Sequence, residues 1–211
     1  MRVTELLESI RTGIGGLPAH GKGALLLLLL YAVQSEIRFG AKARSGIPGA
    51  TDRWSTLAVS LSAAVPVVGF VLAMKGRIAS DMPGMPAIAW VGVGLGALGL
   101  LLRLWALLVL RERYTRTLLV HGEHKIERGG PYRFVRHPGY LGSLLCLNGV
   151  AFASGNALAF AASIAATFIA YAYRIRVEDA MLVAAFGADY ETYRSEINAL
   201  VPLFRGQGGP V

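Results

Sequence analysis

Residues 130–142 hold a dense cluster of polar side chains directly before a long apolar segment. The run reads Gly-Pro-Tyr-Arg-Phe-Val-Arg-His-Pro-Gly-Tyr-Leu-Gly. Arg133, Arg136, His137 and Tyr140 bring positive charge and hydrogen-bond donors, which could bind a carboxylate or a phosphate. Because polar groups at the edge of a membrane span are expensive, such a cluster predicts a functional site.

Pro138 predicts that a helix begins within this run, because the first helical turn needs no proline N–H. The backbone N–H groups of residues 139–141 would then be unpaired, and such a helix N-terminus binds anions. Arg133, Arg136 and His137 would add charge around it. The alternative is that the arginines only extend to lipid headgroups.

A second charged group follows the last apolar segment. Arg174 and Glu178 are four residues apart and share one helix face. Arg176 and Asp179 are three apart and share another. They could be exposed ion pairs that contribute little to stability. They could equally attract a cationic ligand group, hydrogen-bond a ribose or handle a proton.

The segment after these charges predicts a helix end and a short tail helix. We expect the long helix to end at Phe186 with Gly187 as its C-cap. Tyr190 and Tyr193 then lie on a short amphipathic helix. The two tyrosines predict either an anchor at the membrane surface or an aromatic lid over a site.

Composition indicates a membrane protein. Hydrophobic residues make up 54% and charged residues 16% of the 211 residues, and the apolar residues come in long blocks. The net charge of +8 fits basic residues flanking membrane spans rather than nucleic-acid binding. The single cysteine, Cys146, excludes an intramolecular disulfide and a cysteine zinc cluster.

The apolar blocks predict an all-α, integral membrane bundle of about five transmembrane helices. The last two would form a helical hairpin around the short loop 154–156, followed by a cytosolic helical tail. The predicted spans are 19–38, 54–74, 86–111, 139–154 and 157–177. We divide the chain into spans 1–3 (1–110) and a catalytic part (111–211).

The distribution of Lys and Arg predicts the orientation. With five spans, segments 36–53, 111–138 and 174–205 lie on one side and carry fifteen Lys and Arg, against five on the other. The heavier side is expected to be cytosolic, with the N-terminus outside. We read the first apolar block as a retained span rather than a cleaved signal. Residues 1–12 predict a helix lying on the membrane surface.

Two other kinds of site are disfavoured. The spacing of histidine and glutamate around 121–137 matches no zinc signature, so we predict no metal site. Gly92 and Gly96 form a GxxxG pair inside an apolar segment, which predicts close helix packing rather than a nucleotide loop.

Taken together, these motifs resemble the isoprenylcysteine carboxyl methyltransferase family, membrane methyltransferases related to phospholipid N-methyltransferases. Residues 130–142 resemble its core motif, and Arg174-x-x-x-Glu178-Asp179 resembles its second motif, usually written with two glutamates. Phe186-Gly187-x-x-Tyr190-x-x-Tyr193 fits the tail that follows, and Arg103-Leu-Trp105-Ala106 fits upstream. The resemblance covers about 100–204.

The resemblance implies S-adenosylmethionine as cofactor, a lipophilic acceptor or lipid that enters from the bilayer, and no nucleic-acid partner. It implies catalytic roles for Arg174 and Glu178, which would face the reacting groups. It implies cofactor contacts from Tyr132, Arg136, His137, Pro138, Gly139, Tyr140, Leu141, Gly142, Asp179, Tyr190 and Tyr193. The accepting atom could be a carboxylate, an amine or a hydroxyl.

Two other functions remain open on the sequence. A membrane reductase of the sterol-reductase type would have a similar C-terminal layout and would use NADPH. A non-catalytic membrane scaffold would use residues 130–142 only as a basic anchor.

Overall fold

A computed structural model describes residues 8, 12–44, 54–79, 81–84, 86–114 and 126–202, with backbone alone for 36–44 and 111–114. These residues form a helical bundle. Its helices are α1 (Ala19–Arg44), α2 (Ser55–Met74), α3 (Ala87–Tyr114), α4 (Pro138–Ala153), α5 (Ala157–Phe186) and α6 (Ala188–Glu196). A short 3-10 helix, Gly130–Arg133, precedes α4.

The helices begin and end close to the predicted spans, and α5 ends at Phe186 as expected. Helices α2, α3 and α5 are long and apolar enough to cross a membrane, whereas α4 is an apolar helix of 16 residues. The chain is therefore a helical membrane protein. The number of complete crossings, five, stays a prediction, and the predicted surface helix at 1–12 lies almost wholly outside the described residues.

Glycines bring α3 and α4 into backbone contact. A Cβ placed on Gly99 would lie 2.5 Å from the Gly142 carbonyl oxygen, and one on Gly149 would lie 2.6 Å from that of Gly92. Any larger side chain would therefore collide with backbone that cannot rotate away. Small residues let two helices approach this closely inside a membrane. The sequence-based packing interpretation of the α3 glycines is confirmed, and the close approach fixes the start of α4 against α3.

Polar contacts join α4 to α5. A turn at residues 154–156 connects them, and the Asn156 side chain caps α5 by accepting the Ala159 N–H at 2.7 Å. Further along, Asn148 donates to Thr167 Oγ1 at 3.0 Å and accepts from Ser163 Oγ at 2.8 Å. Because these groups find no water in hydrocarbon, the bonds hold the two helices in one register.

Contacts between distant residues bring parts of five helices together. Ser35 in the second half of α1 and Ser143 near the start of α4 both accept from Arg103, in the second half of α3. Ser55, the first residue of α2, accepts from Arg174 in the second half of α5. We call this the site end of the bundle.

Candidate active site at one end of the bundle

The segment before α4 is held by the chain's tail. The backbone N–H of Arg136 donates to the Asn198 carbonyl at 2.9 Å, and that of His137 donates to the Ala199 carbonyl at 3.0 Å. The Tyr193 hydroxyl donates to the Tyr132 carbonyl at 2.6 Å. These bonds place residues 130–142 and the tail, far apart in sequence, in one layer at the site end.

The start of α4 corrects one prediction. Helix α4 begins at Pro138 as expected, with His137 as its N-cap. The His137 carbonyl, however, accepts from both the Tyr140 and Leu141 N–H groups at 3.0 Å. The expectation of three unpaired amides at residues 139–141 is therefore wrong for Tyr140 and Leu141, because the N-cap carbonyl closes the first turn on them.

Asp179 is the centre of a buried ionic cluster. Its carboxylate accepts from His137 Nε2 at 2.9 Å and from Arg136 Nη2 at 3.1 Å. The Tyr190 hydroxyl also donates to it, and Arg194 Nε lies 3.9 Å from Oδ2. Asp179 is 5% exposed, and this carboxylate thus ties α5 to the segment before α4 and to α6.

This cluster excludes two alternatives drawn from the sequence. Asp179 pairs with cations from other segments, so the expected pairing with Arg176 on its own helix is not what orients its carboxylate. The Arg136 side chain is 8% exposed and bonded to Asp179, so it does not extend to lipid headgroups. Arg133 lies outside the cluster, with its guanidinium over the Phe134 ring.

Tyr140, Arg174 and Glu178 form a second cluster beside the first. The Tyr140 hydroxyl donates to the Glu178 carboxylate and accepts from Arg174 Nε at 3.0 Å. Arg174 Nε lies 3.7 Å from Glu178 Oε2, and its Nη1 donates to Ser55 Oγ at 2.6 Å. Because Arg174 is only 8% exposed, the interpretation as an exposed ion pair is wrong.

The two clusters differ in exposure. The His137 and Tyr140 rings stack with centroids 5.4 Å apart, which joins the clusters through neighbouring residues of α4 and its cap. The Asp179 side chain is 7% exposed and that of Glu178 is 29% exposed. Glu178 is therefore the carboxylate that a ligand can reach, while Asp179 faces protein groups.

The tail helix α6 covers the Asp179 cluster with two tyrosines. Gly187 ends α5 and precedes α6 in a left-handed conformation, φ +55°, which glycine adopts without strain. Tyr190 and Tyr193 are buried, with rings 6.0 Å apart. Burial, reinforced by the Asp179 carboxylate, raises the pKa of Tyr190, and burial raises the pKa of Tyr193 to about 12. Both phenols stay neutral donors near pH 7.

Arg128, which precedes the 3-10 helix, makes three contacts with α6. Its Nη1 donates to Glu196 at 3.0 Å, its Nη2 donates to the Asp189 carbonyl at 3.4 Å, and its guanidinium lies 5.2 Å from the Tyr193 ring. Arg128 is half-exposed, so these contacts are weaker than those of the buried Asp179.

Several residues of this region were not predicted as site residues from the sequence. Ser55 and Arg194 contact the two clusters, and the carbonyls of Asn198 and Ala199 hold the segment before α4. Ser55 is a common residue at the start of an apolar helix, and backbone carbonyls leave no trace in side-chain patterns. Arg103 carried a signal, an arginine inside an apolar segment, because such residues mark sites.

The remaining predicted residues also lie at the site end. Leu141 and Gly142 belong to the first turns of α4, and Gly142 packs directly against the backbone of α3. The Tyr132 hydroxyl lies 3.5 Å from the Ala106 carbonyl of α3. Within the described part of the chain, no group of three potential metal ligands occurs. His121 and His124 lie outside that part.

Known proteins match the part of the chain that builds this site. A model of the phospholipid methyltransferase family matches residues 87–189. A probable protein-S-isoprenylcysteine O-methyltransferase of Oryza sativa subsp. indica is 29% identical over 118 residues, which is 55% of this chain and 62% of the rice protein. Over this part, the chain is similar to phospholipid methyltransferases and to protein-S-isoprenylcysteine O-methyltransferases.

Two further relatives are similar over comparable parts of the chain. Protein-S-isoprenylcysteine O-methyltransferase of Tribolium castaneum is 27% identical over 129 residues, covering 59% of this chain and 46% of the insect protein. Cobalt-zinc-cadmium resistance protein CzcN of Cupriavidus metallidurans is 33% identical over 151 residues, covering 67% of this chain and 64% of that protein. The chain thus spans less than two thirds of these relatives. The family match begins at α3 and leaves out α1 and α2.

Proposed function

We propose that this protein is a membrane-embedded methyltransferase that uses S-adenosylmethionine and methylates a lipophilic acceptor entering from the bilayer. One observation carries the proposal: Tyr140, Arg174 and Glu178, from two separate motifs, meet in a single cluster at the site end. The match to the phospholipid methyltransferase model and the methyltransferase activity named for two relatives support the reaction type.

The residues at the site end fit S-adenosylmethionine. The cofactor has a carboxylate and a positively charged sulfur. Arg136 Nε is a buried donor without a partner among the described residues, which suits an anionic group. The partly exposed Glu178 carboxylate suits a cationic one. Asp179 is less suited to bind the cationic group, because its carboxylate already accepts hydrogen bonds from three protein donors.

The role that we propose for each residue follows from these contacts. When bound, the cofactor supplies a methyl group on a positively charged sulfur. His137, Tyr140 and the amide of Gly139 would hold its methionine part, and Tyr190 and Tyr193 would flank it. Asp179 would hold His137 and Tyr190 in place. Glu178 and Tyr140 would fix the guanidinium of Arg174 toward the acceptor, since methyl transfer depends chiefly on alignment.

The acceptor's chemistry decides whether a base is needed. A carboxylate acceptor forms its new O–C bond while the S–CH₃ bond breaks, so no proton has to leave. An amine acceptor would first have to be neutral. The relatives' names point to the carboxyl group of a prenylated cysteine. We propose a lipophilic carboxylate as the acceptor, with a phospholipid amine and an isoprenoid hydroxyl as alternatives.

We propose that the site end faces the cytosol and that the N-terminus lies outside, on five crossings. The distribution of Lys and Arg supports this orientation. The cofactor would then reach the site from water, while the acceptor would arrive sideways through lipid. Residues 111–211 would be the catalytic part and residues 1–110 would provide packing and access for the acceptor.

Transfer of a labelled methyl group tests this function. Membranes containing the protein are incubated with S-adenosylmethionine labelled in its methyl group, and the organic extract is analysed by chromatography. We expect label in a lipid that is absent from membranes without the protein. If label stays in the aqueous fraction at every cofactor concentration, the proposed function is wrong.

A further inference from the structure

Arg103 lies in a buried polar chamber next to the two clusters already described. It is 4% exposed although it belongs to the apolar helix α3. Its Nη1 donates to Ser143 Oγ and lies 3.5 Å from the Gly139 carbonyl, and its Nη2 donates to Ser35 Oγ at 3.3 Å. We call Arg103, Ser35, Ser143, Tyr31 and Tyr171 the arginine chamber.

The positive charge in the arginine chamber lacks a carboxylate partner. Among the described residues, the ion pairs involve Arg128, Arg136, His137, Arg174 and Arg194, and none involves Arg103. Its Nε is also buried without a hydrogen-bond acceptor. Burying an uncompensated charge is costly, so such a group is retained where an anion can join it.

The other groups of the chamber are neutral hydroxyls. The Tyr31 and Tyr171 hydroxyls lie 3.2 Å apart, and the Arg103 guanidinium lies over the Tyr31 ring at 4.8 Å from its centroid. Hydroxyls can rotate to donate to an anion without adding charge. Ser35 and Ser143 already donate to the backbone carbonyls of Tyr31 and Gly139. The adjustable donors are therefore the two tyrosine hydroxyls, and one fixed cation beside them suits an acidic group better than an amine.

The chamber borders the proposed reaction centre. The ring of Tyr171 lies 5.4 Å from that of Tyr140, whose hydroxyl contacts Glu178. Ser143 lies one turn after Gly139, the residue beside the N-cap of α4. Arg174 is engaged by Tyr140, Glu178 and Ser55. Arg103, by contrast, has a buried Nε without an acceptor among the described residues.

We propose that the arginine chamber binds the acidic group of the lipophilic acceptor, and that Tyr31 and Ser35 of α1 select which acid fits. This inference rests on the proposed function and adds specificity residues to it. Helix α1 lies outside residues 87–189, the region matched by the family model. The contribution of α1 to the chamber therefore lies outside the part of the chain that the family model matches.

Binding of matched probes tests the charge. The probes are an S-farnesylated N-acetylcysteine with a free carboxylate and its uncharged amide, titrated into purified protein in detergent without cofactor. We expect wild type to bind the acid at least tenfold more tightly than the amide, because a charge-assisted hydrogen bond is involved. Arg103→Gln should abolish this preference and leave amide binding unchanged. Equal binding of acid and amide by wild type would overturn the inference.

Control variants separate the chamber from general effects. Arg176→Gln removes an exposed arginine of α5 and should preserve the preference for the acid. If Arg103→Gln does not fold, Tyr31→Phe and Ser35→Ala remain, each removing one hydroxyl from the chamber. We expect each to raise the KM for the acid several-fold with kcat and cofactor affinity unchanged. An unchanged KM in both would contradict selection by α1.

Two further measurements identify the source of the anion and separate a failure of this inference from a failure of the proposed function. Phosphatidylglycerol in excess should not displace the acid probe; full displacement would show a general anionic-lipid site and overturn acceptor selection. Cofactor binding is measured on the same samples. If wild type shows no preference for the acid while cofactor binding and methyl transfer are intact, the chamber alone is refuted, whereas a wild-type protein that binds no cofactor would refute the proposed function.

Discussion

Replacing Glu178 with glutamine should lower kcat about 100-fold while the affinity for S-adenosylmethionine changes less than about fivefold. The Glu178 carboxylate contacts the Tyr140 hydroxyl and lies 3.7 Å from Arg174 Nε. A neutral amide keeps the size but no longer holds the guanidinium by charge. A small misplacement of groups that align the reacting atoms costs about 100-fold in rate. Binding depends on other contacts as well, so it falls less.

The control for this variant is Glu191→Gln, which makes the same change on the exposed face of α6. Its kcat and cofactor affinity should equal those of wild type. The measurements are steady-state rates with the prenylated acid and cofactor binding by calorimetry. Wild-type kcat in Glu178→Gln would remove Glu178 from the reaction centre. An equal loss of binding and kcat would instead make it a cofactor-binding residue.

Replacing Asp179 with alanine should destabilise the protein and weaken cofactor binding together. Asp179 is buried, compensates the charge of the buried Arg136 guanidinium and is hydrogen-bonded to buried His137. Removing one partner of a buried ion pair costs about 3–5 kcal/mol because the remaining charge is left uncompensated. We expect the thermal midpoint in detergent, followed by circular dichroism, to fall by about 10 °C. The Tyr190 hydroxyl of α6 would also lose its acceptor on α5, so cofactor affinity should fall at least tenfold.

Two variants show that the loss comes from the buried charge. Asp189→Asn changes an exposed carboxylate at the start of α6 and should move the midpoint by less than about 2 °C. Asp179→Glu keeps a carboxylate at this position and should retain most of the cofactor affinity. If Asp179→Ala melts like wild type, Asp179 does not hold the site end together.

The sequence predicted the helices well because their signals are local. Apolar blocks, Pro138 at a helix start and Gly187 at a helix end each act through neighbouring residues. The helix bounds agree within a few residues, except that α1 runs six residues beyond the predicted span 19–38. The glycine packing could be predicted too, since small residues at regular spacing inside apolar helices have few other uses. The number of crossings depends on a bilayer and is set by more than helix length.

The site was predicted as two motifs, and its internal pairing was not. Helical spacing predicted the ion pair between Arg174 and Glu178 within α5, which the structure contains. The same reasoning was wrong for Asp179, whose partners lie in the segment before α4 and in α6. Helical spacing describes one helix, whereas buried charges pair with whatever the tertiary fold brings near. The prediction of three unpaired amides was wrong for a local reason, because the N-cap carbonyl of His137 accepts hydrogen bonds from two of them.

Arg103 shows what sequence reasoning can find and what it leaves open. An arginine inside an apolar helix marks an unusual position. Its neighbours Ser35 and Ser143 lie 68 and 40 residues away in the chain, so the sequence alone did not indicate a chamber. The family match, beginning at α3, also leaves out the contribution of α1.

Calorimetric titration of the purified protein with S-adenosylmethionine tests the central claim most directly. We expect saturable one-site binding of the cofactor and of its demethylated product, no binding of NADPH, and at least tenfold weaker cofactor binding by His137→Ala, since His137 links Asp179 to the start of α4. No heat with either sulfur compound, or saturable binding of NADPH instead, would contradict a methyltransferase site built from residues 130–142 and the ends of α5 and α6.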